Sequence, residues 1–321
     1  MRDSTQREID YLRISVTDRC NFRCVYCMPE DGVPCLAHSD ILSYESIVRL
    51  CQVFASLGVS KIKLTGGEPL VRRGLPHLVE QLKAIDGIRS VTLTTNGFLL
   101  KEQLPRLLDA GLNGVNISLD TLNRERFRAI TRRDGLEEVL IGLNAALSAD
   151  GLNVKLNCVP TLENRSDWIP LAALSQNSRL AVRFIELMPV GLGASLQRQE
   201  ESQVRAALEE AFGPMQPTAG PSGNGPCRYF RPEGFTGSIG FISALTHTFC
   251  RRCNRIRLTA NGFLKTCLQY ETGVALRPLL EQGAEDDALR RAILDAVRDK
   301  PAHHHFAEGG RQLSHMNEIG G

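Results

Sequence analysis

The chain has 321 residues, 42% hydrophobic and 23% charged, and 38 Lys and Arg against 36 Asp and Glu leave a net charge of +2. Such values describe an ordinary globular protein, long enough for one large α/β domain and a smaller one. They exclude a long nucleic-acid surface, which needs a marked basic excess, and no run of about 18 apolar residues offers a membrane span. The charged start, Met1 to Asp10, lacks the apolar core of a secretory signal, so the cytoplasm is the expected location.

Six strand-like runs are predicted in the first two thirds: Tyr11–Val16, Lys61–Leu64, Val91–Thr95, Gly114–Leu119, Val154–Val159 and Ala181–Glu186. Amphipathic stretches lie between and after them, at Tyr44–Ser56, Pro76–Ile85, Lys101–Ala110, Leu136–Ala149, Trp168–Gln176 and Ser202–Phe212. This β/α alternation predicts a parallel sheet with helices outside, either a partial barrel or a doubly wound sheet. Gly213–Pro226, with four Pro and four Gly, breaks the pattern and reads as a crossing segment. Beyond it, Arg255–Thr259 and Phe263–Cys267 flank Asn261-Gly262, a strong hairpin signal, and helical stretches follow at Leu276–Gln282 and Asp286–Asp299. The expected division is residues 1–220 and 221–321.

Ten cysteines are many for a cytoplasmic chain, where clustered thiols read first as metal ligands. Cys35, Cys51, Cys158 and Cys227 are scattered and read as packing residues. Cys20, Cys24 and Cys27 form Cys-x3-Cys-x2-Cys directly after the first strand. Three thiolates so close suit three corners of an iron–sulfur cubane, whereas a tetrahedral zinc site wants a fourth ligand, absent nearby. The run resembles the signature of the radical S-adenosylmethionine superfamily. That resemblance implies a 4Fe-4S cluster whose open iron chelates the methionyl group of S-adenosylmethionine. It also implies that Gly66, Gly67 and Glu68 hold the amino group, that Tyr26 walls the adenine, and that Thr94 and Ser118 contact the cofactor. Asn96 and Met188 end strands at the same edge, as do Thr95 and Asp120, and α/β sheets bind ligands there.

Cys250, Cys253 and Cys267 form a second triad, brought together by the Asn261-Gly262 hairpin. His247 could complete a Cys3His zinc site, and spacing alone does not decide between zinc and iron. Arg13, Lys61, Lys63, Lys155 and Arg183 interrupt apolar strands, and Arg255 and Arg257 share one strand face. Buried unpaired cations are costly, so these side chains call for internal carboxylates or a bound polyanion such as a triphosphate.

The segments Arg13 to Cys20, Lys61 to Pro69, Arg183 to Pro189, Cys253 to Leu258 and the terminal Ile319-Gly320-Gly321 together resemble the GTP 3′,8-cyclase family. The resemblance implies a partial (βα)6 TIM-type barrel of the radical SAM kind, closed by a smaller C-terminal domain of short antiparallel strands and helices. It implies two 4Fe-4S clusters, with guanine on the open iron of the second. Arg13, Lys61, Lys63, Lys155, Arg183, Arg255 and Arg257 match nucleotide contacts, although relatives carry Arg where Lys63 stands, a fork replaced by a point charge. Gly320 and Gly321 match a tail that reaches the active site and is needed, with Arg13, for activity. The implied partners are GTP, a flavodoxin- or ferredoxin-like electron donor, a second copy of the chain in a homodimer, and cyclic pyranopterin monophosphate synthase as the functional successor. The His303-His304-His305 run reads as structural.

Overall fold

Along each strand apolar side chains alternate with polar ones, and that alternation decides which face the helices cover. The computed structural model describes residues 1–321 apart from 222, 224, 311 and 321. Its strands are β1 (Tyr11–Ser15), β2 (Lys61–Thr65), β3 (Ser90–Thr95), β4 (Gly114–Ser118), β5 (Asn153–Cys158), β6 (Ala181–Ile185), β7 (Met215–Pro217), β8 (Arg228–Pro232), β9 (Ser238–Ile242), β10 (Arg255–Leu258), β11 (Phe263–Lys265) and β12 (Gly273–Ala275). They form one sheet in the order β12-β11-β10-β1-β2-β3-β4-β5-β6-β9-β8-β7.

The six strands expected from periodicity are present and mutually parallel. The C-terminal part does more than add antiparallel ribbons. It also places β9 parallel beside β6 and β10 parallel beside β1, lengthening the arc at both ends. β7, β8, β11 and β12 then extend the edges antiparallel. Sequence reading missed the parallel extensions because neither β9 nor β10 is joined to its parallel neighbour by a simple βα crossover. The arc is not closed by hydrogen bonds. Residues 243–254 instead run from β9 at one end of it to β10 at the other.

Helices α1 (Tyr44–Ser56), α2 (Leu75–Lys83), α3 (Leu100–Asp109), α4 (Arg124–Thr131), α5 (Leu136–Ser148), α6 (Trp168–Ala173), α7 (Glu201–Phe212), α8 (Arg277–Glu281) and α9 (Asp286–Arg298) follow or flank the strands. Leu12, Ile14, Ile62, Leu64, Val115, Ile117 and Leu156 are fully buried in the hydrophobic core on the outer face of the sheet. The other face carries the polar residues, and pairing sets them in rows. Arg13 pairs with Arg257 on one side and Lys63 on the other, and Asn157 pairs with Arg183. At the β10–β11 turn Gly262 takes φ +83°, and Thr259 N donates to Phe263 O at 2.9 Å. This is a three-residue loop whose last position needs glycine.

Asn164 fastens the strand ends. Its Oδ1 accepts from Thr161 N at 2.9 Å and Trp168 Nε1 at 3.0 Å, and its Nδ2 donates to Asp120 O and Val159 O, both at 3.0 Å. Asn164 and Trp168 are both fully buried. Asn164→Ala leaves several buried groups unpaired and should lower unfolding stability by about 3 kcal/mol, read as a lower denaturant midpoint. An unchanged midpoint would contradict this role.

Candidate active site

The strands' C-terminal ends and the polar face enclose a cavity of about 500 Å³. Cys20, Cys24 and Cys27 line it from the loop after β1. That loop is held from behind: Arg23 N donates to Thr131 O and Val25 N to Ile130 O, both at 2.9 Å, at the end of α4. Phe22 is buried edge-on against Phe98 and Phe127, at 5.9 and 5.7 Å between ring centres. Arg132, at φ +55°, donates to the carbonyls of Arg23 and Met28. Neither α4 nor Arg132 was anticipated, because α4 is short and strongly polar.

Gly66 and Gly67 act by close packing as well as by lining the cavity. A Cβ on Gly66 would lie 2.5 Å from Thr17 O, and one on Gly67 would lie 2.4 Å from Arg19 O. Gly67 N and Glu68 N donate to Thr17 O and Arg19 O at 2.8 Å, so the loop after β2 is stitched to the residues leading into Cys20. The buried Glu68 carboxylate accepts from Leu70 N (3.0 Å), Thr95 Oγ1 (2.7 Å) and Asn96 N (2.6 Å). Burial pushes its pKa up to about 7 against those hydrogen bonds. Asn96 Nδ2 donates to Asn21 Oδ1 at 2.8 Å. Tyr26 donates to Asp120 Oδ2 at 2.7 Å, and burial pushes Asp120 up to about 6. Thr94, Ser118 and Met188 line the same space.

Burial, then the charge of Glu68, raises the Cys20 thiol to about 11, and burial, then Cys20, raises Cys27 to about 12. Three buried thiols that resist ionising together are suited to a cationic centre, which deprotonates its thiol ligands outright. An iron–sulfur cluster fits this donor set. Among the described residues no three His, Cys, Asp or Glu side chains form a ready single-ion site.

The second triad stands in a different field. Cys250 opens a 3-10 turn over Cys250–Arg252, and Cys253 N donates to Cys250 O at 3.1 Å. Cys267 follows β11. Burial works against ionisation of Cys253, but Lys300, Arg255 and Arg7 outweigh it and bring the thiol down to about 7. This triad does not itself line the cavity; its neighbours Phe249 and Leu268 do, and Arg255 lies 4.9 Å over the Phe249 ring. His247 is exposed. His304 contacts Ala244 O at 2.8 Å and His305 contacts Glu308 at 2.7 Å, both local links.

Arg13, Lys63, Lys155, Arg183, Arg255 and Arg257 all line the cavity. Among the described residues Lys63, Arg183, Arg255 and Arg257 make no ion pair with a carboxylate, and Arg183 is oriented by Asn157 Oδ1 at 3.0 Å. Burial and then the neighbouring cations hold Lys63 and Arg257 well below their ordinary pKa values. Lys61 stands apart: it pairs with Asp10 at 2.7 Å and does not line the cavity. Cys227, read as a packing residue, lines the cavity, its sulfur seated where Gly240 leaves no Cβ. Of the remaining scattered thiols Cys51 and Cys158 are buried, but Cys35 is exposed. At the tail, Arg257 donates to Gly320 O at 2.9 Å, beside Ser15 and Thr65; Gly321 lies outside the described residues. Asn317, not anticipated, donates to Asp18 O at 3.1 Å and lines the cavity.

In metal-free protein at pH 8, a thiol reagent should label Cys253 well before Cys20 or Cys27, with the Cys253 rate half-maximal near pH 7. Peptide mapping reads the order; equal labelling of both triads would contradict the contrast.

The family described as Radical SAM superfamily matches residues 14–174, and Molybdenum Cofactor Synthesis C matches residues 180–306. A protein of Pelotomaculum thermopropionicum named GTP 3′,8-cyclase is 45% identical over 325 residues, covering 100% of both chains. One of Moorella thermoacetica with that name is 44% identical over 324 residues, again covering 100% of each. Streptococcus suis SuiB bound to S-adenosylmethionine has a similar fold, with a TM-score of 0.59 at 15% identity, covering 91% of this chain and 68% of that one. No helix among the described residues is long and apolar enough to cross a membrane.

Proposed function

The chain belongs to the GTP 3′,8-cyclase family, and we propose that its cavity seats S-adenosylmethionine at the first triad and GTP against the cation rows. The product is (8S)-3′,8-cyclo-7,8-dihydroguanosine 5′-triphosphate, the first step of molybdenum cofactor biosynthesis. The observation that carries the nucleotide site is the group of cavity-lining cations Lys63, Arg183, Arg255 and Arg257, none of which pairs with a carboxylate among the described residues.

Cys20, Cys24 and Cys27 would hold one 4Fe-4S cluster, and Cys250, Cys253 and Cys267 would hold another, toward which guanine is directed. When bound, the first cluster and S-adenosylmethionine would supply one-electron chemistry that removes hydrogen from the ribose 3′ carbon, and joining that carbon to guanine carbon 8 would take up one further electron, from the external donor, and one proton. Gly66, Gly67, Glu68 and Asn96 hold the methionyl end, and Tyr26, Thr94, Ser118 and Met188 border the nucleoside. Lys63, Lys155, Arg183 and Arg255 grip the triphosphate. Arg13 and Arg257 hold the tail and the ribose end in register, Gly320 passes close against Ser15 where a side chain would crowd, and Gly321 is the tail's last residue. Lys61, paired with Asp10 away from the cavity, is left out of the nucleotide site. Water exclusion and fixed geometry are this chain's contribution to the reaction. An external electron donor of the flavodoxin or ferredoxin kind, a cytoplasmic homodimer and hand-over to cyclic pyranopterin monophosphate synthase complete the proposal.

Anaerobic incubation of reconstituted protein with GTP, reductant and S-adenosylmethionine, followed by mass analysis, tests the reading. Cys24→Ser should abolish 5′-deoxyadenosine, whereas Cys267→Ser should retain some of it and lose the cyclised nucleotide. Full product from Cys267→Ser would refute the second assignment.

Proton linkage gives an independent test. Burial, then Arg183, lowers Lys155 to about 8, and Lys63 is lowered by the same kinds of cause. A bound polyanion raises both again, so binding takes up protons and GTP affinity should fall as pH rises through about 8. Calorimetry in buffers of different ionisation enthalpy reads the uptake; proton release would contradict it.

A further inference from the structure

The three cysteines of the second triad lie on two separate segments, residues 250–253 and 267, neither in a helix of any length. Two buried cations from elsewhere in the chain fasten the backbone at each. Arg7, paired with Asp3 at 2.6 Å, donates to Cys250 O at 2.9 Å. It also donates to Pro301 O at 2.7 Å and Ala302 O at 3.0 Å, which fixes the segment carrying Lys300. Lys300 Nζ donates to Arg255 O, two residues past Cys253, at 3.0 Å, and to Thr266 O, the residue before Cys267. Lys300 is 4% exposed, and no carboxylate pairs with it among the described residues. The first triad has a mixed setting: Arg23 donates to Cys20 O at 2.7 Å and Arg132 to Arg23 O and Met28 O, with two carboxylates close by. Glu68 is bonded through its N–H to Arg19 O next to Cys20, and Asp120 accepts from Tyr26.

We propose that Arg7 and Lys300 form a clasp that gathers the second triad, and that the uncompensated Lys300 ammonium raises the reduction potential of the cluster held there. This rests on the proposed function, since it presupposes that cluster. An added electron makes the cluster more negative, so a buried positive charge beside its ligands stabilises the reduced state. Lys300 is a positioning residue, with no contact to the nucleotide required.

The test uses full-length reconstituted protein in which Cys24→Ser removes the first cluster, leaving about four irons per chain. EPR-monitored redox titration then reads the second cluster alone. Adding Lys300→Met should lower the equilibrium constant for one-electron reduction at least tenfold, ~59 mV, with iron content retained, and Lys300→Arg should restore it. An unchanged midpoint in Lys300→Met, or an equal fall in Lys300→Arg, would overturn the proposal. Iron lost from Lys300→Met but kept by Lys300→Arg supports the clasp, and iron lost from both overturns it. A Cys24→Ser parent without iron would instead refute the second cluster and the function built on it.

Discussion

Like charges forced onto one face of a parallel sheet are the constraint around which the molecule is built. Register puts Arg13 between Arg257 and Lys63, and the far side of the arc brings Lys155 and Arg183 toward the same space. The apolar residues alternating with them cannot be exposed without losing the core, so the strands cannot turn over to release the cations. The repulsion is therefore held in place by hydrophobic burial on the other face. An anion in the cavity would relieve it.

The two triads are held by different means, which suits different duties. The first is fixed by aromatic packing around Phe22, by glycines pressed against the Thr17–Arg19 backbone and by Arg132 across the loop. Its surroundings carry both signs of charge, Arg23 and Arg132 on one side and Glu68 and Asp120 on the other. The second is tied by cations to carbonyls, and its sequence neighbours Phe249 and Leu268 line the cavity. The tail links the regions: Gln312 Nε2 donates to Leu268 O and Gln269 O, Asn317 reaches Asp18, and Gly320 accepts from Arg257.

Much of this was legible in the sequence because strong local signals coincide with the architecture. The six parallel strands follow from apolar runs at regular spacing, and both cysteine triads and the lumenal cations follow from spacing and strand parity. Pairings between distant segments were not legible. β10 beside β1 has no local signature, and neither has Arg7 reaching Cys250. Lys61 shows the limit of parity: it shares the face of Lys63, yet its position at the start of β2 gives it to Asp10. Cys227 shows the converse, an isolated thiol brought to the cavity wall by the return of β8 along β9.

The partnership of β1 with β10 also dictates an order of assembly. Along the chain the first triad and β2 follow β1 closely, and β2 covers one side of it. The other side stays an unpaired strand edge until Arg255 emerges, and Asn254 then reaches Asp10 across a sequence separation of 244. Such an edge invites pairing with other chains, and so distant a contact forms slowly. A chain growing in this order is thus an open, adhesive ribbon with the loop after β1 complete, until residues 250–267 arrive to cover that edge and bring the second set of thiols.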